Sequence, residues 1–61
     1  MDSDLLTYPE AAELLKLKLG SLYALVAQSR IPHVRFGPRF VRFSHKALTE
    51  WVRRHVVTPT S

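Results

Sequence analysis

The chain has no cysteine, which excludes a disulfide staple and a thiolate zinc site. It has no long hydrophobic run either, and its apolar stretches fall far short of the ~20 residues that cross a bilayer. The opening segment, "MDSDLLTYPE", is acidic where a secretory signal would be basic. These features predict a soluble protein of the cytoplasm. Acidic residues are scarce, and four of the five (Asp2, Asp4, Glu10, Glu13) fall within the first fifteen positions. That clustering leaves no plausible nucleophile–base–acid set. His33, His45 and His55 lie too far apart to resemble a zinc site. The residues therefore call for no metal, no cofactor, no small-molecule substrate and no enzymatic activity.

At 61 residues the chain makes one domain with a small core. Ordering costs roughly 1.5 kcal/mol per residue, so so small a core barely offsets chain entropy. A buried, shaped cleft is not expected, and binding on an outer face suits such a scaffold better. The net charge of +4 hides an asymmetry: residues 1–15 carry four acids and no base, whereas residues 16–61 carry all nine bases and only Glu50. A basic body with an acidic flank implies an electrostatic footprint for a polyanion on one side.

Local patterns divide the chain into three helices and a hairpin. Thr7 and Glu10 in "TYPEAAELL" form a T-x-x-E capping box, and Pro9 is tolerated in a first helical turn. Ala11, Leu14 and Leu15 follow at helical spacing, predicting a helix over about 8–16. In "LGSLYALVAQS", Leu22, Leu25 and Val26 form a core-facing stripe. Two short helices separated by Leu17, Lys18 and Leu19 constitute a helix-turn-helix. Pro32 sets an end to the second helix near Ser29 or Arg30. In "SHKALTEWVRRH", Ser44 is placed to cap a third helix, Leu48, Trp51, Val52 and His55 recur at helical spacing, and His55, like His33 and His45, is read as a surface or rim histidine. Arg53 and Arg54 complement its dipole. The ordered core is expected over about 5–55, with the tail 56–61 frayed.

Between the second and third helices lies "RIPHVRFGPRFVRF", with four arginines among apolar residues around a Gly-Pro break. With residues 37–40 as the loop, Val34, Phe36, Val41 and Phe43 share one face, and Arg35 opposes Arg42 on the other. Gly37 and Pro38 supply the turn chemistry. This reading gives a β-hairpin with an apolar underside, a cationic top and Arg39 at its tip. Like charges facing each other across strands repel, and an anion between them would relieve that repulsion. Phe40 falls on the outer side, where two roles stay open: a wedge into a groove or a contact with a neighbouring subunit.

A helix-turn-helix followed by a basic hairpin is a winged arrangement. Its second helix can enter the major groove of DNA while the hairpin lies against the backbone or an adjacent minor groove. The candidate contacts are Lys18, Ser21, Tyr23, Gln28 and Arg30 along the recognition helix, and Arg35, Arg39 and Arg42 on the wing. No arginine or asparagine stands on the outer face of that helix for a bidentate base contact, and most of the charge is of the kind that positions a protein on phosphates. Sequence selectivity is expected to come from DNA shape, from several copies side by side, or from a partner protein.

The order "LLTYPEAAELL", "LYALV", "RIPHVRFG" and "RF" ahead of "ALTEWV" resembles excisionase-type (Xis) DNA-binding proteins with the MerR-like winged helix-turn-helix fold, over about residues 5–52. The resemblance implies a small mainly-α (α+β) fold with three helices and a two-stranded β-hairpin wing. It implies a phage or integrated-element recombination directionality factor that binds double-stranded DNA side by side with copies of itself in a bacterial host cell, associated with the nucleoid when bound. Such a protein bends the DNA near an attachment site and turns a tyrosine-type integrase toward excision. The chain departs from the family pattern at Lys16 and Lys18, where a glycine and a serine cap are usual. It departs again at Leu19 and Gly20, where arginine or threonine is frequent, and at Ala24, in place of an arginine. These changes shift binding from base edges to the backbone. Two other readings stay open: a small transcriptional regulator of the MerR-like or AlpA-like type, and a protein-interaction module with a degenerate DNA-binding face.

Overall fold

Thr7 starts the first helix as the capping box requires. Its hydroxyl accepts from the Glu10 N–H at 3.4 Å, and its own N–H donates to Glu10 Oε1 at 2.9 Å. Helix α1 spans Tyr8–Leu15, with Ala11 and Ala12 buried. The computed structural model describes residues 4–57 and 59. Asp2 of the acidic flank and Thr58, Thr60 and Ser61 of the tail expected to fray lie outside the described residues.

Helix α1 ends where Lys16 turns left-handed (φ 59°, ψ 39°). The Leu17 N–H then reaches back to the Ala12 carbonyl at 2.9 Å, and the Lys16 N–H to Glu13 at 3.2 Å. This is the Schellman closure, in which the left-handed residue is usually glycine. Lys18 is the N-cap of α2 (Leu19–Ala27) yet its side chain makes no capping hydrogen bond. Helix α2 closes in the same way: Ser29 is left-handed (φ 54°), and the Arg30 N–H bonds the Leu25 carbonyl at 2.9 Å. The helix thus stops before the position Pro32 alone would impose, because its last carbonyls are satisfied earlier.

A two-residue strand, β1 (Leu5–Leu6), precedes α1, and β2 (Val34–Arg35) and β3 (Val41–Ser44) form the hairpin. All pairs are antiparallel, in the order β1-β3-β2. The hairpin is therefore extended on its other edge by an N-terminal strand that the sequence pattern does not announce. Leu6 pairs with Phe43 and packs against the core, whereas Leu5 pairs with Ser44 on the outer face.

Helix α3 (His45–Arg54) starts directly from β3. Ser44 accepts from the Ala47 N–H at 3.1 Å and donates to the Asp4 carboxylate. Asp4 also accepts from the backbone N–H of Lys46 at 3.3 Å through Oδ1, and from that of His45 at 2.8 Å through its main-chain carbonyl. An acid at this helix N-terminus also meets the positive end of the dipole. The Ser44 hydroxyl is the main reason the Asp4 carboxyl titrates below its ordinary value.

Most elements contribute to one core: Ala11 and Ala12 from α1, Leu22 and Val26 from α2, Val41 and Phe43 from β3, and Leu48 from α3, with Ile31 from the connecting loop. Leu14 and Val52, expected in the core, are 42% and 41% exposed and line an apolar groove between α1 and α3 with Leu15 and Leu48. Ala12 occupies the buried position instead.

Two consequences are measurable. A left-handed non-glycine residue costs of order 1 kcal/mol, and a missing side-chain cap costs about as much. Lys16→Gly and Lys18→Ser should each raise stability by about 1 kcal/mol in urea unfolding; midpoints that fall for both would contradict this description of the turn. Because the native Asp4 carboxyl titrates low, its contribution is complete above the ordinary carboxylate pKa and is lost as pH falls through the native value. Asp4→Asn should accordingly flatten the acid side of the stability–pH curve, as followed by circular dichroism.

Candidate nucleic-acid interface

The inward side of α2 is spent on packing, with Leu22 and Val26 buried and Leu25 half-buried. Its outward side presents Gly20, Ser21, Tyr23, Ala24 and Ala27 to solvent. Tyr23 is half exposed, but its ring is held against Tyr8, with centroids 4.3 Å apart and planes tilted by 32°. Tyr8 in turn meets the buried Phe43 ring edge-on at 5.2 Å. A chain of three aromatic rings thus connects the exposed helix face to the central strand. Tyr8 is a positioning residue that sequence reasoning missed. Its signal is an aromatic directly after the capping threonine, three residues before Ala11 and seven before Leu15 and so on the same face of the helix.

Gln28 and Arg30 are brought together beyond the end of α2, where Arg30 Nη1 donates to Gln28 Oε1 at 3.4 Å. The Arg30 backbone is pinned from behind: the Trp51 indole N–H donates to its carbonyl at 3.0 Å. The next residue, Ile31, is buried, and its carbonyl accepts from His33 Nδ1 at 2.8 Å. Trp51 is therefore half core, as its helical phase predicts, and half a clamp on the path from the recognition helix to the wing.

The wing register differs from the expected one. Arg35 pairs with Val41 and Val34 with Arg42, and the Phe36 N–H bonds the Phe40 carbonyl at 2.7 Å. The loop is one residue shorter than the 37–40 loop expected, and a one-residue slip moves a strand's side chains to the other face. Arg35 and Arg42 consequently do not oppose each other; they lie on opposite faces of the ribbon. Phe36 is 63% exposed, and the apolar underside is built from Val41, Phe43 and Leu6 without it.

Arg42 is partly buried, and its Nη1 donates to the Val41 carbonyl at 2.9 Å. Lys18, Arg35 and Arg39 are exposed and have no ion pair among the described residues, where the salt bridge present is Arg53–Glu50 at 3.4 Å on α3. Asp4 is engaged by Ser44 and Lys46, away from the wing arginines. The described residues hold no group of histidine and carboxylate side chains able to bind a metal ion, and no helix long and apolar enough to cross a membrane.

Three helices, a three-residue turn between the first two, and a basic antiparallel hairpin define a winged helix-turn-helix, a class whose ligand is DNA. The sequence model of the helix-turn-helix domain matches residues 5–56, and the chain belongs to that family. No curated protein and no solved structure matches the chain.

The clamp behind Arg30 can be tested on its own. Trp51→Phe keeps a ring but removes one hydrogen bond, which should cost about 1 kcal/mol in urea unfolding followed by circular dichroism. An unchanged midpoint would show that the indole N–H contributes nothing there.

Proposed function

We propose that this protein is a non-catalytic, excisionase-type DNA-binding protein that binds side by side near an attachment site, bends the DNA and biases a tyrosine-type integrase toward excision. The observation that carries the DNA-binding part is the juxtaposition of a recognition helix with a wing whose exposed arginines have no carboxylate partner among the described residues. The whole chain acts as one module, with α2 in the major groove. Tyr23 and Arg30 meet phosphates, and Ser21 and Gln28 meet phosphates or base edges. Lys18 stands at the entry of α2, where the positive end of the helix dipole adds to its charge. Arg35, Arg39 and Arg42 grip the backbone from the wing.

Arg35 and Arg42, which fall on opposite faces of the ribbon, now carry a different meaning. Guanidinium groups on both faces of a ribbon suit a ligand that offers phosphates on two sides, as the walls of a DNA groove do. Membership of a family that includes excisionase-like and AlpA-type proteins supports the recombination role. The small alanine- and glycine-bearing face of α2 supports backbone-dominated binding over base reading.

Neutralising five or six phosphates gives log affinity against log salt a slope of about −5. Fluorescence anisotropy on duplex DNA should show it, and absence of binding at low salt would remove the proposal. Arg39→Ala should weaken binding to all sequences alike and reduce the slope by about one. Footprinting on attachment-site DNA tests the array: adjacent protected copies support it, and one isolated site argues for a simple regulator.

A further inference from the structure

The wing carries an apolar feature that phosphate contacts leave unused. Phe36 and Phe40 form the last cross-strand pair of the hairpin, joined by the 2.7 Å hydrogen bond between their main chains. They are 63% and 60% exposed, among the most exposed large apolar residues of the structured part of the chain. Paired residues of an antiparallel ribbon share a face, so both rings stand on the side of Val34 and Arg42, away from the core formed by Val41 and Phe43. A Cβ at Gly37 would lie 3.2 Å from the Phe40 ring, so the ring folds across the turn. Arg39 projects between them in the sequence, and Arg35 and Arg42 flank them.

From this arrangement we infer that Phe36 and Phe40 are an apolar wedge that enters the minor groove and opens a base-pair step. The inference rests on the DNA-binding reading and deepens it. An undistorted minor groove is only about 6 Å wide, narrower than a two-stranded ribbon with its side chains. Entry therefore requires the groove to widen. Apolar side chains inserted between base pairs achieve this by partly unstacking a step and kinking the duplex toward the major groove. Flexible pyrimidine–purine steps yield most easily. The charge pattern selects this occupant over a second copy of the chain: residues 30–43 hold four arginines and no acid, so two such wings meeting face to face would repel, whereas arginine is the side chain that the minor groove attracts. The arginines hold the groove walls while the rings press on its floor.

The test uses the full chain and a linear duplex rich in TA steps, labelled at both ends for energy transfer and carrying 2-aminopurine at one TA step. Wild-type protein should bring the ends closer and raise 2-aminopurine fluorescence. The double variant Phe36→Ser/Phe40→Ser should bind at low salt within about threefold of wild type, because phosphate contacts dominate affinity, and yet leave the end-to-end distance and fluorescence as in free DNA. Phe36→Leu/Phe40→Leu should restore both signals, since leucine also wedges. Thermal melts of the variants matching wild type would confirm that the exposed rings are not structural. Undiminished bending and unstacking by the serine variant would overturn the wedge while leaving DNA binding intact. Loss of only the steepness of binding, with the bend retained, would also overturn it and assign the rings to contact between copies. Absence of wild-type binding would remove the underlying DNA-binding reading itself.

Discussion

The side chain of Phe43 is fully buried at the point where β1, β3 and α1 converge. Burial of a large aromatic is among the strongest single contributions available to so small a domain. Its neighbours inherit their positions from it. Leu6 pairs across the strand, Tyr8 sits edge-on to the ring, and Tyr23 stacks on Tyr8. The recognition helix and the wing are thereby tied to one buried ring, although they are separate stretches of chain. A binding surface spread over two elements needs a shared anchor, because small independent tilts of each would spoil simultaneous contact with a stiff duplex.

The termini of the helices show where local preference yields to charge. Thr7 and Ser44 cap α1 and α3 through side-chain oxygens, whereas the turn between α1 and α2 holds lysines at both of its demanding positions. Lys16 takes a backbone conformation that glycine adopts more readily, and Lys18 starts a helix that it cannot cap. Local rules are most often broken at functional sites. The two lysines increase the positive charge next to α2, and two of the acids are engaged elsewhere: Glu10 is consumed in its own cap, and Asp4 holds the start of α3. Placing carboxylates at helix N-termini both stabilises those helices and keeps negative charge away from the wing.

Geometry of the wing decides how that charge is used. A register with Arg35 facing Arg42 would concentrate charge on one face, while the observed register distributes it over two and turns a pair of phenylalanines outward. The first arrangement suits a flat anionic surface. The second suits a groove, with charge for its walls and apolar surface for its floor.

Sequence alone determined the elements whose signals are local. The capping box at Thr7 and Glu10, the serine cap at Ser44, and the stripe of Leu22, Leu25 and Val26 each depend on neighbours a few residues away, and each appears where the pattern puts it. The partition of charge was legible for the same reason. Tertiary structure alone decided the third strand at Leu5–Leu6, the stacking of Tyr8 under Tyr23, the Trp51 clamp on Arg30 and the wing register. These join residues distant in the chain, or turn on one residue more or less in a loop whose composition permits both. The period of a strand is two, so that single residue exchanged inside for outside and moved Phe36 from the expected core to the surface.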